Sequence, residues 1–512
     1  MADRHNTTRR YAMILRGSTK HQPPCWTALP AEIRLLILEA ITQKRHTGWA
    51  SSAAVCKEWQ FVIEKENFCQ LNLDIPCLDD FERIGGRRQH LVYNISLDIE
   101  LPCYTCRCCY TTESETWGRR NSSIVSKGIW KLFSILSDWK SARQKGLALE
   151  LSAHSPSDSD HWFKHYRFDL SLVGDDDDDL VSGQDMGSTP LDDPKHGWKN
   201  SQQETPPPKL AVMRLFSAIN LRFPAELPRV DAVTRFTIRR QLRRRIQPVA
   251  LQLVLDKLIG LEHMVYEPWR VWNRSCAQVV DQEYAFMIQN GLPKTLKTIS
   301  IFEDFDDSLV ATLADPGWFG PMFPVDSVRI GDPHIGAAFA SRSLDLEQLS
   351  GSYLSNAEDF FGACLQTWTW EHLRTLALTS ALLQPAGGHD KVYALLSSAA
   401  ATALQMPMLH TLVLWNGTRG NACAFVYHYP DRGSPYIAWR GTWDLELTHA
   451  VVEAWQAVAS QVRPWKLAIE KQYIRGGVDS HADAIHRLAL PCPVVAPTSL
   501  WQMRRERAYQ RV

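Results

Sequence analysis

The residues best equipped for chemistry lie between positions 103 and 161. Cys103, Cys106, Cys108 and Cys109 fall within seven residues, and the first pair has the C-x2-C spacing of a zinc knuckle. A tetrahedral site draws its second pair of ligands from a distant turn, because neighbouring cysteines in extended chain point to opposite sides. Cys69 and Cys77 could supply that pair, but no spacing rule ties them to the cluster, so these cysteines read as loop thiols without a metal. His154, Ser157, Asp158, Asp160 and His161 have the residue types of nucleophile, base and carboxylate. No Gly-x-Ser-x-Gly elbow, His-Glu-x-x-His pair or glycine-rich phosphate loop accompanies them. They read as a polar loop in which Ser and Asp cap a helix begun near Trp162. The expectation is therefore no catalytic residue, no cofactor and no metal.

A third charged group, Arg235 to Arg245, holds six arginines in eleven residues. Such a run can grip phosphates or an acidic tract. As a solvated face whose long stems cover apolar surface it needs no ligand, and that is the simpler expectation. Lys plus Arg and Asp plus Glu are both 56, so no global field draws the chain to nucleic acid or to an anionic membrane. Apolar runs stop well short of the ~20 residues that span a bilayer, and the N-terminus lacks a secretory signal pattern. The twelve cysteines are scattered, which suits reduced thiols and a cytoplasmic or nuclear protein.

The elements that position these groups follow from periodicity. Residues 1–24 form a flexible lead-in of basic, polar and Pro residues. From Trp26 to about residue 72 the pattern is helical: Ile33, Leu36, Ile37, Ala40 and Ile41 share one face, and Ala54, Val55, Trp59, Val62 and Ile63 share another after a polar break. Residues 91–173 read as strand, helix, strand. Residues 174–209, with Asp175 to Asp179 and Pro206 to Pro208, read as a disordered acidic and Pro-rich insertion.

From 210 to 490 a theme repeats, in which a Leu-x-x-Leu-like start, an apolar strand and a polar break recur. It is seen at Leu258–Tyr266, Leu292–Phe302, Val325–Ile330, Leu344–Leu349, Leu373–Leu378 and Met408–Leu414, with helical stretches between. The fold expected is α+β or α/β, a small helical module followed by an irregular leucine-rich-repeat-like strand-helix solenoid, with 491–512 as a tail. Tyr266, Trp269 and Trp272 follow the Leu258 repeat; at the solenoid's concave edge they would be anchors for a protein substrate, and packing in the core is the equal alternative.

Leu29-Pro30-Ala31-Glu32-Ile33-Arg34-Leu35-Leu36-Ile37-Leu38 resembles the first helix of an F-box, and Val55-Cys56-Lys57-Glu58-Trp59 resembles its second signature. The connection Gln43 to Gly48 is polar where the family has a further Leu-rich helix. The resemblance implies docking of Leu29, Pro30, Ile33, Ile37, Leu38, Val55 and Trp59 on a Skp-type adaptor of a cullin-RING ubiquitin ligase, with an unknown protein substrate held by the C-terminal region. The stretches 149–163, 239–245 and 266–272 are similar to fungal proteins that join such a box to a long C-terminal region, a resemblance that brings no activity with it. The alternative is a non-catalytic leucine-rich scaffold whose box packs internally.

Overall fold

A computed structural model describes residues 26–44, 48–139, 146–166, 192–314, 329, 331–430, 432–461 and 466–509. The chain divides at Cys69 and Gln70 into two compact units. The first holds two helices, α1 (Ala31–Lys44) and α2 (Lys57–Cys69). Between them, Trp49–Ala54 forms a 3-10 turn where the sequence suggested the start of the second helix. Among its described residues the only fully enclosed apolar side chains are Leu38 and Ile63, because two short helices have too little surface to bury their apolar faces on each other. Trp26 supports the pair: its ring lies 5.1 Å from that of Trp59 and its indole N–H donates to Glu58 (2.9 Å).

The second unit is built on one large, mostly parallel sheet. Its first part runs β1 (Gln70–Leu73), α3 (Leu78–Arg88), β2 (Asn94–Glu100), α4 (Glu115–Leu136) and β3 (Leu147–His154). After that come two short paired strands, β4 (Trp198–Lys199) and β5 (Gln202–Gln203), then α5 (Lys209–Leu215) and β6 (Ala218–Ile219). The ladder resumes with β7 (Val233–Ile238), β8 (Arg245–Ile246, paired with β6), α6 (Pro248–Leu255), β9 (His263–Tyr266), α7 (Arg274–Phe286) and β10 (Thr298–Phe302). It continues through α8 (Asp307–Ala314), α9 (Pro333–Arg342), β11 (Gln348–Ser352), α10 (Ala357–Ala363), β12 (Thr375–Thr379), α11 (His389–Ala403) and β13 (Thr411–Thr418). It ends with β14 (Asn421–His428), β15 (Tyr436–Gly441), α12 (His449–Ser460), β16 (Ala468–Tyr473), α13 (His481–Leu488) and α14 (Pro497–Ala508).

Twelve strands form the sheet in the order β1-β2-β3-β7-β9-β10-β11-β12-β13-β14-β15-β16, parallel up to β13 and antiparallel through β14 and β15. Sheet neighbours are thus sequence neighbours, and the crossover helices α6, α7, α9, α10, α11 and α12 pack each on the next in one row. The reason is visible in the register. Ile95, Leu149, Phe236, Met264, Ile299, Leu349, Leu376 and Leu412 form one continuous ladder of paired, fully buried side chains facing this helical layer. Each burial of this kind stabilises by roughly 1.5–3 kcal/mol relative to exposure.

Side chains one position along each strand point to the other face. There the strands differ. In β2 and β3 burial alternates, whereas β13 and β14 are buried on both faces. The cause is the segment after β16. It packs Ile474, Val478, Ala482, Ile485, Leu488 and Met503 against Val413, Trp415, Ala424 and Val426 of β13 and β14. Residues 491–509, expected as a tail, are therefore structural, with α14 contributing buried Ser499, Gln502, Met503 and Glu506.

The expected insertion also divides. Residues 174–191 lie outside the described residues, but 192–209 are folded, with His196 and Trp198 buried. Of the expected repeats, Val325–Ile330 is described only at Arg329. Gly146, at the entry to β3, has φ +52°, and a Cβ there would stand 2.0 Å from Thr234 Oγ1. Gly146→Ala is expected to destabilise by roughly 2 kcal/mol or more, read as a lower thermal midpoint, since both the left-handed backbone and the close approach of the β7 side resist a methyl group.

Candidate functional site

Four places in the structure have the makings of a site. The first is the surface of α1 and α2. Ile33, Leu35, Leu36, Val55 and Phe61 are between 42% and 65% exposed. Ile33 and Leu36 stand one turn apart on the same stripe of α1. Of the residues suggested by the sequence, Pro30, Ile33 and Val55 are exposed, Leu29, Ile37 and Trp59 are half-buried, and Leu38 is fully buried in its own unit. Leu38 therefore cannot touch a partner while the unit is folded. Leu35, Leu36 and Phe61 are exposed apolar residues outside that set; of these, Leu36 was legible as a member of the Ile33 stripe.

The second is the part of the sheet that the C-terminal segment leaves open. Ser96, Glu150, Thr237, Val265 and Ser300 form a paired row across β2, β3, β7, β9 and β10, all partly exposed and mostly polar. The same row continues into buried Ser350, Ala377 and Val413. Tyr266, expected as a substrate anchor at an open edge, lies on the opposite face: it is buried and its hydroxyl lies 3.4 Å from that of Tyr284 on α7. Strand alternation dictates this, since Tyr266 shares the helix-facing side with Met264. Trp269 and Trp272 are buried too, pack on Phe216 with ring centroids 4.9 and 4.8 Å away, and line one wall of an apolar cleft with Met213 and Leu313.

The third is a buried charge cluster at the C-terminal ends of β7, β9 and β10. Arg240 pairs with Asp304 and with Glu506 of α14 (2.8 Å), and Arg243 pairs with the other oxygen of Glu506 (2.6 Å). His481 of α13 meets Asp304 at 2.9 Å. Glu267 accepts from the backbone N–H of Arg240 (3.1 Å), from Ser499 (2.5 Å) and from the N–H of Ala496 (2.8 Å). Burial alone would raise the Asp304 carboxyl, but the Arg240 charge and the His481 bond outweigh it and hold it at about 2. A polar cleft beside this cluster is lined by Arg240, Asp306, His481 and Glu506. Each of its buried carboxylates faces a cation or several N–H and O–H donors, so the cluster clamps α13 and α14 to the sheet. The arginine run is thus only partly a solvated face: Arg235 is exposed and Arg239 and Arg245 are half-buried, but Arg240, Arg243 and Arg244 are buried, Arg244 reaching Asp158 at 3.0 Å.

The fourth is a cysteine-histidine cluster. Cys106 and Cys109 lie on the turn between β2 and α4, His161 on the turn after β3, and His196 before β4. One ligand atom from each of the four lies within 4.8 Å of the others. Cys69, Cys77, Cys103 and Cys108 are not part of it. Burial, then contact with Cys106, pushes the Cys109 thiol up to about 11, and burial, then the neighbouring His196, lowers His161. Asp158, in the same polar stretch, caps locally by accepting from the Ser155 N–H at 3.1 Å and from the Tyr104 hydroxyl at 3.1 Å.

These features define a mixed α/β protein with a large, mostly parallel sheet. Residues 291–496, from just before β10 to just before α14, match a family of unknown function (DUF6546). No F-box or leucine-rich-repeat family is detected, and no curated protein matches the chain. No described helix is long and apolar enough to cross a membrane.

Proposed function

We propose that the chain is a substrate-recruiting, F-box-type adaptor of a cullin-RING ubiquitin ligase, acting in the cytoplasm or nucleus. In this reading α1 and α2 dock on a Skp-type subunit, and the large sheet is an irregular leucine-rich-repeat-type solenoid. Its open polar row from Ser96 to Ser300 receives a protein substrate. The adaptor does no chemistry; it raises the substrate's effective concentration at the ligase.

The observation that carries the reading is the N-terminal unit's unpaired apolar surface. It encloses Leu38 and Ile63 but leaves Ile33, Leu35, Leu36, Val55 and Phe61 exposed, an arrangement suited to helix-in-groove recognition. The recurring apolar register of β7, β9, β10, β11, β12 and β13, with a stacked row of helices, supports the repeat-type architecture.

The test is retention of the full-length protein on a purified Skp-type adaptor, compared with Ile33→Asp plus Leu36→Asp. Both side chains are exposed, so the substitutions leave the unit's own core intact. Wild type is expected to bind, and the double variant to bind at least about 30-fold more weakly, the equivalent of one interface hot spot. Failure of the wild type to bind would leave the interaction-scaffold reading in its place.

A further inference from the structure

We infer that Cys106, Cys109, His161 and His196 form a structural zinc site. Cys106, Cys109 and His196 stand at the spacings of a tetrahedral zinc shell, and a ligand atom of His161 lies within 4.8 Å of theirs. Zn–S bonds of about 2.3 Å and Zn–N bonds of about 2.0–2.1 Å place tetrahedral ligand atoms about 3.8 Å apart for S and S, and about 3.5 Å apart for S and N. The two thiols are 3.9 Å apart, and His196 Nε2 lies 3.2 Å from Cys106 Sγ and 3.5 Å from Cys109 Sγ. Both cysteines are free thiols. His161 Nε2 is buried without a hydrogen-bond partner. A buried imidazole nitrogen left unpaired costs free energy that a metal would offset.

The outer shell is also built. His196 Nδ1 lies 2.8 Å from Asp193, whose carboxylate also meets Lys164 at 3.1 Å. This carboxylate-histidine arrangement fixes the tautomer that leaves Nε2 free as a ligand. The rings of Tyr110 and Trp162 lie 6.2 and 5.5 Å from that of His196, and Cys109 packs in the apolar cluster of Trp162, Val212 and Trp269. Two thiolates and two imidazoles select zinc among the common divalent ions, and four protein ligands leave no open position for a substrate. The ion's role is then to staple the turn after β2 to a segment 90 residues further along. The site is independent of the adaptor reading.

The full-length protein, purified with zinc present and dialysed, is expected to retain about one zinc per chain and, after exchange, to show the visible bands of four-coordinate cobalt(II). Cys106→Ser and His196→Asn should lose both signals, whereas Cys103→Ser and Cys108→Ser should keep them. Asp193→Asn should weaken zinc affinity by roughly 10–100-fold without changing the final stoichiometry. That readout, like the cobalt spectrum of the wild type, does not depend on whether a ligand variant folds. A wild type without stoichiometric zinc or cobalt bands, equal zinc in Cys106→Ser, or a Cys106–Cys109 disulfide in the purified protein would each overturn the site.

Discussion

Arg240→Met is expected to lower the unfolding free energy by about 3–5 kcal/mol, because it leaves buried Asp304 and Glu506 without their shared cation. The methionine keeps most of the volume, so the loss is electrostatic and not a cavity. Measured by chemical denaturation, the midpoint should fall far more than for Lys257→Met, whose partner Glu226 is solvent-exposed. Pairing Arg240→Met with Asp304→Asn should restore part of the loss, since the buried carboxylate that faced Arg240 is then neutral while Glu506 keeps Arg243.

The same cluster gives a pH dependence of definite sign. Asp304 sits at about 2 in the folded protein against an ordinary 3.8. Its lowered value means the folded state binds this proton less readily than the unfolded chain. The stabilisation, about 2 kcal/mol, is complete above about pH 4 and is lost as pH falls through the folded value. A stability profile in which Asp304→Asn flattens the acid limb would agree; identical acid limbs would not.

Removal of residues 497–512 is expected to abolish the stable folded state of the large unit. The truncation takes away Glu506, which pairs with both Arg240 and Arg243, and Ser499, which donates to buried Glu267. It also uncovers the apolar surface that Met503 and Leu500 help to close. Two buried guanidinium groups left without that carboxylate would together cost on the order of the 5–15 kcal/mol by which domains are stable. Aggregation on size-exclusion chromatography and rapid proteolysis are the expected results; an unchanged elution volume with an unchanged thermal midpoint would show that α14 is dispensable.

Much of the architecture was legible locally. The helices of the N-terminal unit, the β2-α4-β3 sequence and the Leu-rich strands at Leu258–Tyr266 and Leu373–Leu378 all declare themselves through period 3.6 or period 2. Which face of a strand meets the helices was less legible. Tyr266 looked like an edge anchor, and only the pairing with Ile301 and Arg-flanked Ile238 shows that it points into the helical layer. The arginine run misled for a related reason: the partners of Arg240, Asp304 and Glu506, are 64 and 266 residues away, so nothing nearby in sequence announced that this arginine would be neutralised and buried.

The cysteine-histidine cluster marks the boundary most clearly. Cys106 and Cys109 carried a spacing, but His161 read as a capping loop and His196 fell within a segment expected to be disordered. The set of elements and their apolar faces follows from local periodicity, because amphipathic spacing is a property of neighbours within a few residues. Which charges meet, which face the C-terminal segment covers, and which thiols and imidazoles converge are set by the folded chain as a whole. Those depend on contacts between residues tens to hundreds of positions apart, and no local period encodes them.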